Sequence, residues 1–424
     1  MLPRLFLFLF LPGLAHATDT LSVQQCRNMA ARSNPLEQKN ALAASMYNLH
    51  NDNIDANYLP RISFSGQASW QTDVFALPFD NPLFPIIEIP KDQYKITADV
   101  SQKIWDGGYN KQQRAQREIE RDLAMAQTAV DVYAVRETVT DLFFRVLLLQ
   151  ESEQTLNISL SELERRLKQT EAQVKEGVTL RSAADQLRIQ ILKNRQQASG
   201  LQSDRQALLN ILALWIGRED TDFILETPPT TPPTLFVQPF SVAQRPEHQL
   251  FDLQKQNLQV AAEGLDLLLR PRFDAFALGG FGQPNPLNAF ETDFQPYFMV
   301  GLRAMWSPVN WGKRKRDREI FSLQSRNIDA QRDAFDLRIE AALRKDQYEA
   351  QKMMQQSLLD QEIITLQEDI LKRSDAQVQN GVMTTTDYLT QVDLLTNARL
   401  NGIFHQLQYE HARQLLLAKT LAND

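Results

Sequence analysis

Apolar and polar residues alternate strictly over two stretches in the first third of the chain. From Arg61 to Phe75 the even positions run Ile62, Phe64, Gly66, Ala68, Trp70 and Val74, against Arg61, Ser63, Ser65, Gln67, Ser69, Gln71 and Asp73 at the odd ones. From Gln93 to Ile104, Tyr94, Ile96, Ala98, Val100 and Ile104 oppose Lys95, Thr97, Asp99, Ser101 and Lys103. A period of two sustained this long predicts strands with one apolar and one polar face. A second pair alternates less cleanly. Phe273, Ala275, Ala277, Gly279 and Phe281 oppose Asp274, Phe276 and Leu278, and Phe298, Val300, Leu302, Ala304 and Trp306 oppose Tyr297, Met299, Gly301 and Arg303. Strands of soluble proteins average about half the length of the first two, whereas strands that cross a bilayer need ~9–11 residues. A soluble sandwich and a membrane barrel are both open, and the continuous charged face of the first pair favours the barrel. Four strands cannot close a barrel alone, and an open edge in lipid leaves backbone groups unsatisfied. The membrane reading therefore requires several chains to share one barrel.

Elsewhere the apolar period lengthens to that of a helix. Leu156, Leu160, Leu163 and Leu167 recur every three or four residues, as do Leu358, Ile363, Leu366, Ile370 and Leu371. No proline or glycine occurs from Asn110 to Glu176 or from Lys313 to Asn380. Either run, as one helix, would extend roughly 100 Å. Return helices are predicted from Leu180 to Ile216 and from Thr384 to about Leu421. Helices this long form coiled coils or helical tubes, not compact cores.

The two halves repeat one another. LKQTEAQVKEGV at 167–178 and LKRSDAQVQNGV at 371–382 share seven of twelve residues. Each carries a helical pattern into a Gly-Val step, and helical pattern resumes beyond it, which predicts a helical hairpin turned by a left-handed glycine. The same offset relates Trp105-Asp106-Gly107-Gly108 to Val309-Asn310-Trp311-Gly312, while Pro35 and Pro60 pair with Pro246 and Pro271 further upstream. The extra residues of the first half fall in a Pro-rich loop, Phe75–Asp92. The predicted organisation is a first repeat over 18–226, with strands at about 61–75 and 93–105 and a tip near 177. A Pro-rich linker follows over 227–244. The second repeat covers 245–424, with strands at about 272–282 and 294–306 and a tip near 381.

Composition adds an address and removes several functions. Residues 1–17 have the form of a secretory signal: Arg4, the apolar run Leu5–Leu11, and Ala15-His16-Ala17 before the cut. Beyond them no uncharged apolar run approaches the ~20 residues of a membrane-spanning helix; the best, Leu142–Leu149, contains Arg145. Cys26 is the only cysteine, so an intrachain disulfide is excluded. A net charge of −7 argues against a general nucleic-acid binder. The cluster Lys313-Arg314-Lys315-Arg316, with Arg318, has no interleaved aromatics and reads as a solvated helix face. The five histidines, among them His405 and His411, lack metal-ligand spacing, and no cofactor is expected. The glycine-rich Leu278–Gly282 lies inside a predicted strand without a following lysine, so a phosphate loop is not indicated. No catalytic constellation emerges, and an enzyme is not expected.

Two repeats of helix, strand pair and long hairpin resemble the TolC family of outer-membrane efflux and secretion channels. The resemblance rests on the junctions Ile104-Trp105-Asp106-Gly107-Gly108 and Pro308-Val309-Asn310-Trp311-Gly312, on Tyr58-Leu59-Pro60, and on Arg245-Pro246-Glu247. It implies a mainly α fold with a β-barrel part. Three copies would give a twelve-strand outer-membrane barrel continued by a periplasmic α-helical barrel. It implies passive export, with an inner-membrane pump supplying energy and a periplasmic adaptor docking at the hairpin tips. Those tips are Gly177, Val178, Thr179 and Leu180 in the first repeat, and Gly381, Val382, Met383 and Thr384 in the second. The family's entrance is narrowed by carboxylates six and nine residues past the second tip glycine, which here are Asp387 and Thr390. The first matches and the second does not. Residue 183, which corresponds to Asp387 in the first repeat, is alanine, and the family's entrance tethers are not recognisable. The reading from a different class is a soluble periplasmic coiled-coil scaffold or adaptor.

Overall fold

The computed structural model describes residues 19–74, 89–229, 245–288 and 291–420. The proposed signal, most of the 75–92 loop and residues 230–244 of the linker lie outside them. The described chain divides into two compact units. One comprises the residues up to Glu37, Thr128–His248 and those from Ala334 onward; the other comprises Gln38–Gln127 and Gln249–Asp333. Two 67-residue helices, α3 (Tyr109–Lys175) and α6 (Lys313–Gln379), contribute residues to both. Their lengths match the runs free of proline and glycine.

The first unit is helical. It holds α1 (Val23–Ser33), most of α3, α4 (Arg181–Ile216), the distal part of α6, and α7 (Thr385–Thr420). Ser22 opens α1 with a capping box: its Oγ accepts the Gln25 N–H and Gln25 Oε1 accepts the Ser22 N–H. The helix then buries Cys26 and Ala30 against Phe143, Val146 and Leu147 of α3 and Leu209, Leu212 and Ile216 of α4. The Leu142–Leu149 run is thus a core segment. No described helix is long and apolar enough to cross a membrane. A parallel pair of three-residue strands, β1 (Asp19–Leu21) and β4 (Phe223–Leu225), closes this end and has no counterpart among the predicted elements. The two apolar stripes differ. Leu156 and Leu163 of α3 are buried, whereas Leu358, Ile363, Leu366 and Ile370 of α6 stay exposed.

The second unit carries α2 (Gln38–Ala56), α5 (Pro246–Leu267), in which only Gln249 onward belongs to this unit, and a four-stranded antiparallel sheet. Its strands are β2 (Arg61–Trp70), β3 (Asp92–Trp105), β5 (Arg272–Gln283) and β6 (Gln295–Met305), in that spatial order. β2 stops before the predicted Phe75. One further cross-strand bond, from the Gln71 N–H to the Lys91 carbonyl at 2.9 Å, lies beyond its last residue. Cross-strand register collects the apolar positions on one face. Phe64, Ala98, Gly279 and Phe298 share one rung, and Ile62, Val100, Ala277 and Val300 share the next. That face is uncovered in the chain: Phe64 and Leu302 are each 80% exposed.

Two positions on the opposite face pair an aromatic ring with a glycine. Tyr297 opposes Gly280 and reaches across it to Thr97, hydroxyl to hydroxyl at 2.5 Å, while Phe276 opposes Gly301. A Cβ on Gly301 would stand 2.7 Å from the Phe276 ring, so only glycine admits this ring position.

Candidate functional site: hairpin tips and strand-to-helix junctions

At the first junction the chain leaves β3, turns through Asp106-Gly107-Gly108, and starts α3. Asp106 is 3% exposed. Its Oδ1 accepts the Gly108 N–H at 2.8 Å and its Oδ2 the Asn110 N–H at 2.6 Å, so it holds the free amides of the incoming helix. Burial by itself raises the Asp106 carboxyl. The Asn110 and Gly108 amides, with the Tyr58 hydroxyl and Lys103, outweigh it and hold the group below its ordinary value. Gly107 (φ +70°) is confined: a Cβ there would lie 2.9 Å from Arg270 Cβ and 3.2 Å from the Pro271 carbonyl oxygen.

The second junction turns through Asn310-Trp311-Gly312. Trp311 stands where the first repeat has Gly107, and it adopts φ +50° with its side chain 88% exposed. The Lys313 N–H returns to the Asn310 carbonyl at 2.9 Å, and Gly312 completes the turn at φ +75°. The basic cluster beyond it is partly neutralised. Arg314 and Arg318 both pair with Asp266, at 3.0 and 2.9 Å, and Lys313 pairs with Asp317.

The tips belong to the other unit and share the two bonds that make the turn, the second adding a Met383 N–H bond to the Gln377 carbonyl at 3.3 Å. Gly177 N–H donates to Val174 and Val178 N–H to Gln173; Gly381 N–H donates to Val378 and Val382 N–H to Gln377. Both glycines sit at φ +72° with no other atom within 4 Å of a built Cβ. This is the six-residue helix stop with a left-handed glycine. Val178, Leu180 and Val382 project into solvent, whereas Thr179 is half-buried and Met383 packs against the cluster below the tips. The return helices start differently. Leu180 gives α4 no side-chain cap. Thr384 Oγ1 accepts the Asp387 N–H at 3.2 Å and donates to Asp387 Oδ2 at 2.7 Å, so the exposed Asp387 takes part in the cap of α7. Thr390 Oγ1 bonds back to the Thr386 carbonyl.

The chain matches the family described as outer membrane efflux protein over residues 28–218. Solved structures extend the likeness. The outer membrane channel CmeC of Campylobacter jejuni has 12% identity over 94% of this chain and 85% of its own, with a TM-score of 0.65. CusC, described for its transmembrane channel formation, has 14% identity over 95% and 92%, with a TM-score of 0.68. The outer membrane protein VceC of Vibrio cholerae has 13% identity over 94% and 95%, with a TM-score of 0.65. The family match thus covers residues 28–218, and the likeness of fold covers nearly the whole chain. No curated protein matches it closely enough to count as a relative.

Sequence reasoning missed a set of ties just below the tips, where the two hairpins meet. Arg166 of α3 is buried, pairs with Asp375 of α6 at 3.2 Å, and lies over the Tyr388 ring of α7 at 5.2 Å. Gln190 of α4 donates to Asp393 of α7 at 2.7 Å, and Asn194 reaches Ser159, which in turn contacts Thr396. Burial raises the Asp393 carboxyl, with Lys193 opposing. One signal was available: Arg166 falls on the buried phase of the Leu156–Leu163 stripe, where a cation requires a partner. His405 and His411 are each held by one carboxylate, Asp360 and Asp141. Among the described residues no group of three His, Cys, Asp or Glu could hold a metal.

Proposed function

We propose that the protein is the outer-membrane exit duct of a tripartite efflux or type I secretion system, passing substrates from a periplasmic adaptor and an inner-membrane pump to the exterior. The observation that carries this is the sheet. One face is free of charge from Tyr94 to Ile104 and across the matching rungs, and apolar there apart from Gln102, and among the described residues neither outer edge, β2 or β6, has a partner strand. Apolar side chains turned to lipid together with two open edges suit a wall segment of a barrel closed by further copies. Three chains would supply twelve strands, β2 of one pairing with β6 of the next. The exposed α6 stripe would be covered by the neighbouring copy, giving the periplasmic helical barrel. Against the soluble scaffold stand the family match and the fold.

In this assembly the exposed Val178, Leu180 and Val382 with their bare glycine turns receive the adaptor, and Asp387 lines the entrance as a three-fold carboxylate ring. Thr390 adds no charge there. Detergent-extracted protein should behave as a trimer and conduct ions in planar bilayers. A monomer that stays soluble without detergent and produces no conductance would overturn the duct.

A further inference from the structure

The face of the sheet turned away from the apolar side is strongly and unevenly charged. Register places five basic side chains on it, Arg61, Lys95, Lys103, Arg272 and Arg303, against Asp99 and Asp274. Four of the five cluster at the end where strands meet helices. Lys103, Asp274 and Arg303 share one rung; Arg61 lies on the next rung, and Arg272 sits at the start of β5. Among the described residues none of these seven side chains forms an ion pair within 4 Å. Arg303 instead lies over the Phe276 ring at 5.1 Å and Arg272 over Tyr109 at 5.4 Å, while Lys95, further along, lies over Tyr297 at 5.9 Å. Rings hold these cations in place without neutralising them. Leu278 and Met299 occupy the same face, one rung from Phe276.

We infer that this end of the sheet forms a basic collar inside the duct that favours anionic, amphiphilic cargo, such as an arylcarboxylate or arylsulfonate. The inference rests on the duct reading, which turns the charged face to the lumen. Three copies would set twelve cations around one water-filled ring, against three aspartates on its central rung and three more, Asp99, on the rung of Leu278 and Met299. Walls of low dielectric focus such a field on whatever passes. Apolar side chains beside the cations offer a flat surface to the aromatic part of an amphiphile. The collar also opposes the Asp387 ring, so the duct would carry an acidic entrance and a basic exit section in series.

Planar bilayers under a KCl gradient, with naphthalene-1-sulfonate as probe, separate the possibilities. With the entrance ring neutralised by Asp387→Asn, the duct should prefer chloride over potassium, and the sulfonate should interrupt its current at concentrations where an equal-sized arylammonium does not. Adding Lys103→Gln and Arg303→Gln should lower the chloride-to-potassium ratio by about threefold or more and weaken sulfonate block. A conducting Asp387→Asn duct that prefers potassium overturns the collar without any sheet variant. So does an unchanged ratio in the conducting glutamine variants. Absence of conductance in the unmodified protein removes the duct itself, a result distinct from either.

Discussion

At the first strand-to-helix junction Asp106 is buried and each of its oxygens accepts a helix amide, while Gly107 is pressed against Arg270 and Pro271. At the second, no side-chain hydrogen bond from Asn310 is present among the described residues, and a tryptophan with its ring in the open takes the left-handed conformation that glycine supplied in the first. The backbone turns the same corner twice. One corner is fixed by its surroundings; the other is held by the turn itself, at a strain of about 1–2 kcal/mol for a side-chain-bearing residue. Matching position in a duplicated sequence therefore does not imply matching tolerance. An exposed indole at the strand-to-helix boundary is also where membrane barrels place aromatic side chains, at the lipid–water interface.

The sharpest way to break this comparison is to put the same side chain at both corners. Gly107→Val adds a branched side chain to a left-handed position already in contact, and should cost about 2–5 kcal/mol. Trp311→Val should cost less than about 1 kcal/mol, because the position already carries a side chain. Urea midpoints followed by helical circular dichroism would show it, and equal losses would refute the asymmetry.

Asp106→Ala should destabilise by about 2–4 kcal/mol by freeing one buried and one half-buried amide, whereas Asn310→Ala should fall within about 0.5 kcal/mol. The lowered Asp106 carboxyl fixes the sign of the pH effect. Its contribution is complete above the unfolded carboxylate value of about 3.9 and is lost as pH falls through the lower folded value. The stability gap between wild type and Asp106→Ala should therefore close in acid; a gap that widens would contradict the assignment.

At the tips the comparison predicts equality. Gly177→Ala and Gly381→Ala should each cost about 1 kcal/mol, with nothing nearby to add to the left-handed penalty. Thermal melts of the two variants that differ by more than about 1 kcal/mol would show that the tips are not interchangeable. Smallest of all, Trp311→Gly should gain up to about 1 kcal/mol in detergent by relieving the left-handed strain. A loss there would mean that the indole makes contacts the isolated chain does not show.

Much of this molecule was legible in the sequence because its two periods are long and unmixed. Alternation over Gln93–Ile104 and the glycine-free helical runs permit few other readings, and the repeated Gly-Val step located both tips. What failed had physical causes. Alternation continues through Val74 although β2 stops at Trp70, because the pattern of apolar positions does not record where cross-strand bonds cease. Apolar stripes on α3 and α6 look the same as sequence, yet only the first is covered within one chain. The tie of Arg166 to Asp375 and Tyr388 joins residues more than 200 positions apart; the buried phase of Arg166 shows that it needs a partner, but nothing local says which. The family resemblance singles out Asp387 as an entrance carboxylate, but its bond to Thr384 depends on helix-start geometry that composition does not carry.

The two ring-on-glycine pairs bear on how the sheet avoids error. A slip of one residue between β5 and β6 would turn Asp274 or Arg303 toward the apolar face, where a charge is unfavourable. A slip of two keeps every residue on its proper face and would pass that test unnoticed. It would, however, move Phe276 off Gly301 onto Met299 or Arg303, and in one of the two directions it would also set Tyr297 against Leu278. The hairpin thus carries its own proofreading mark, spaced to catch the mistake that hydrophobicity alone cannot see.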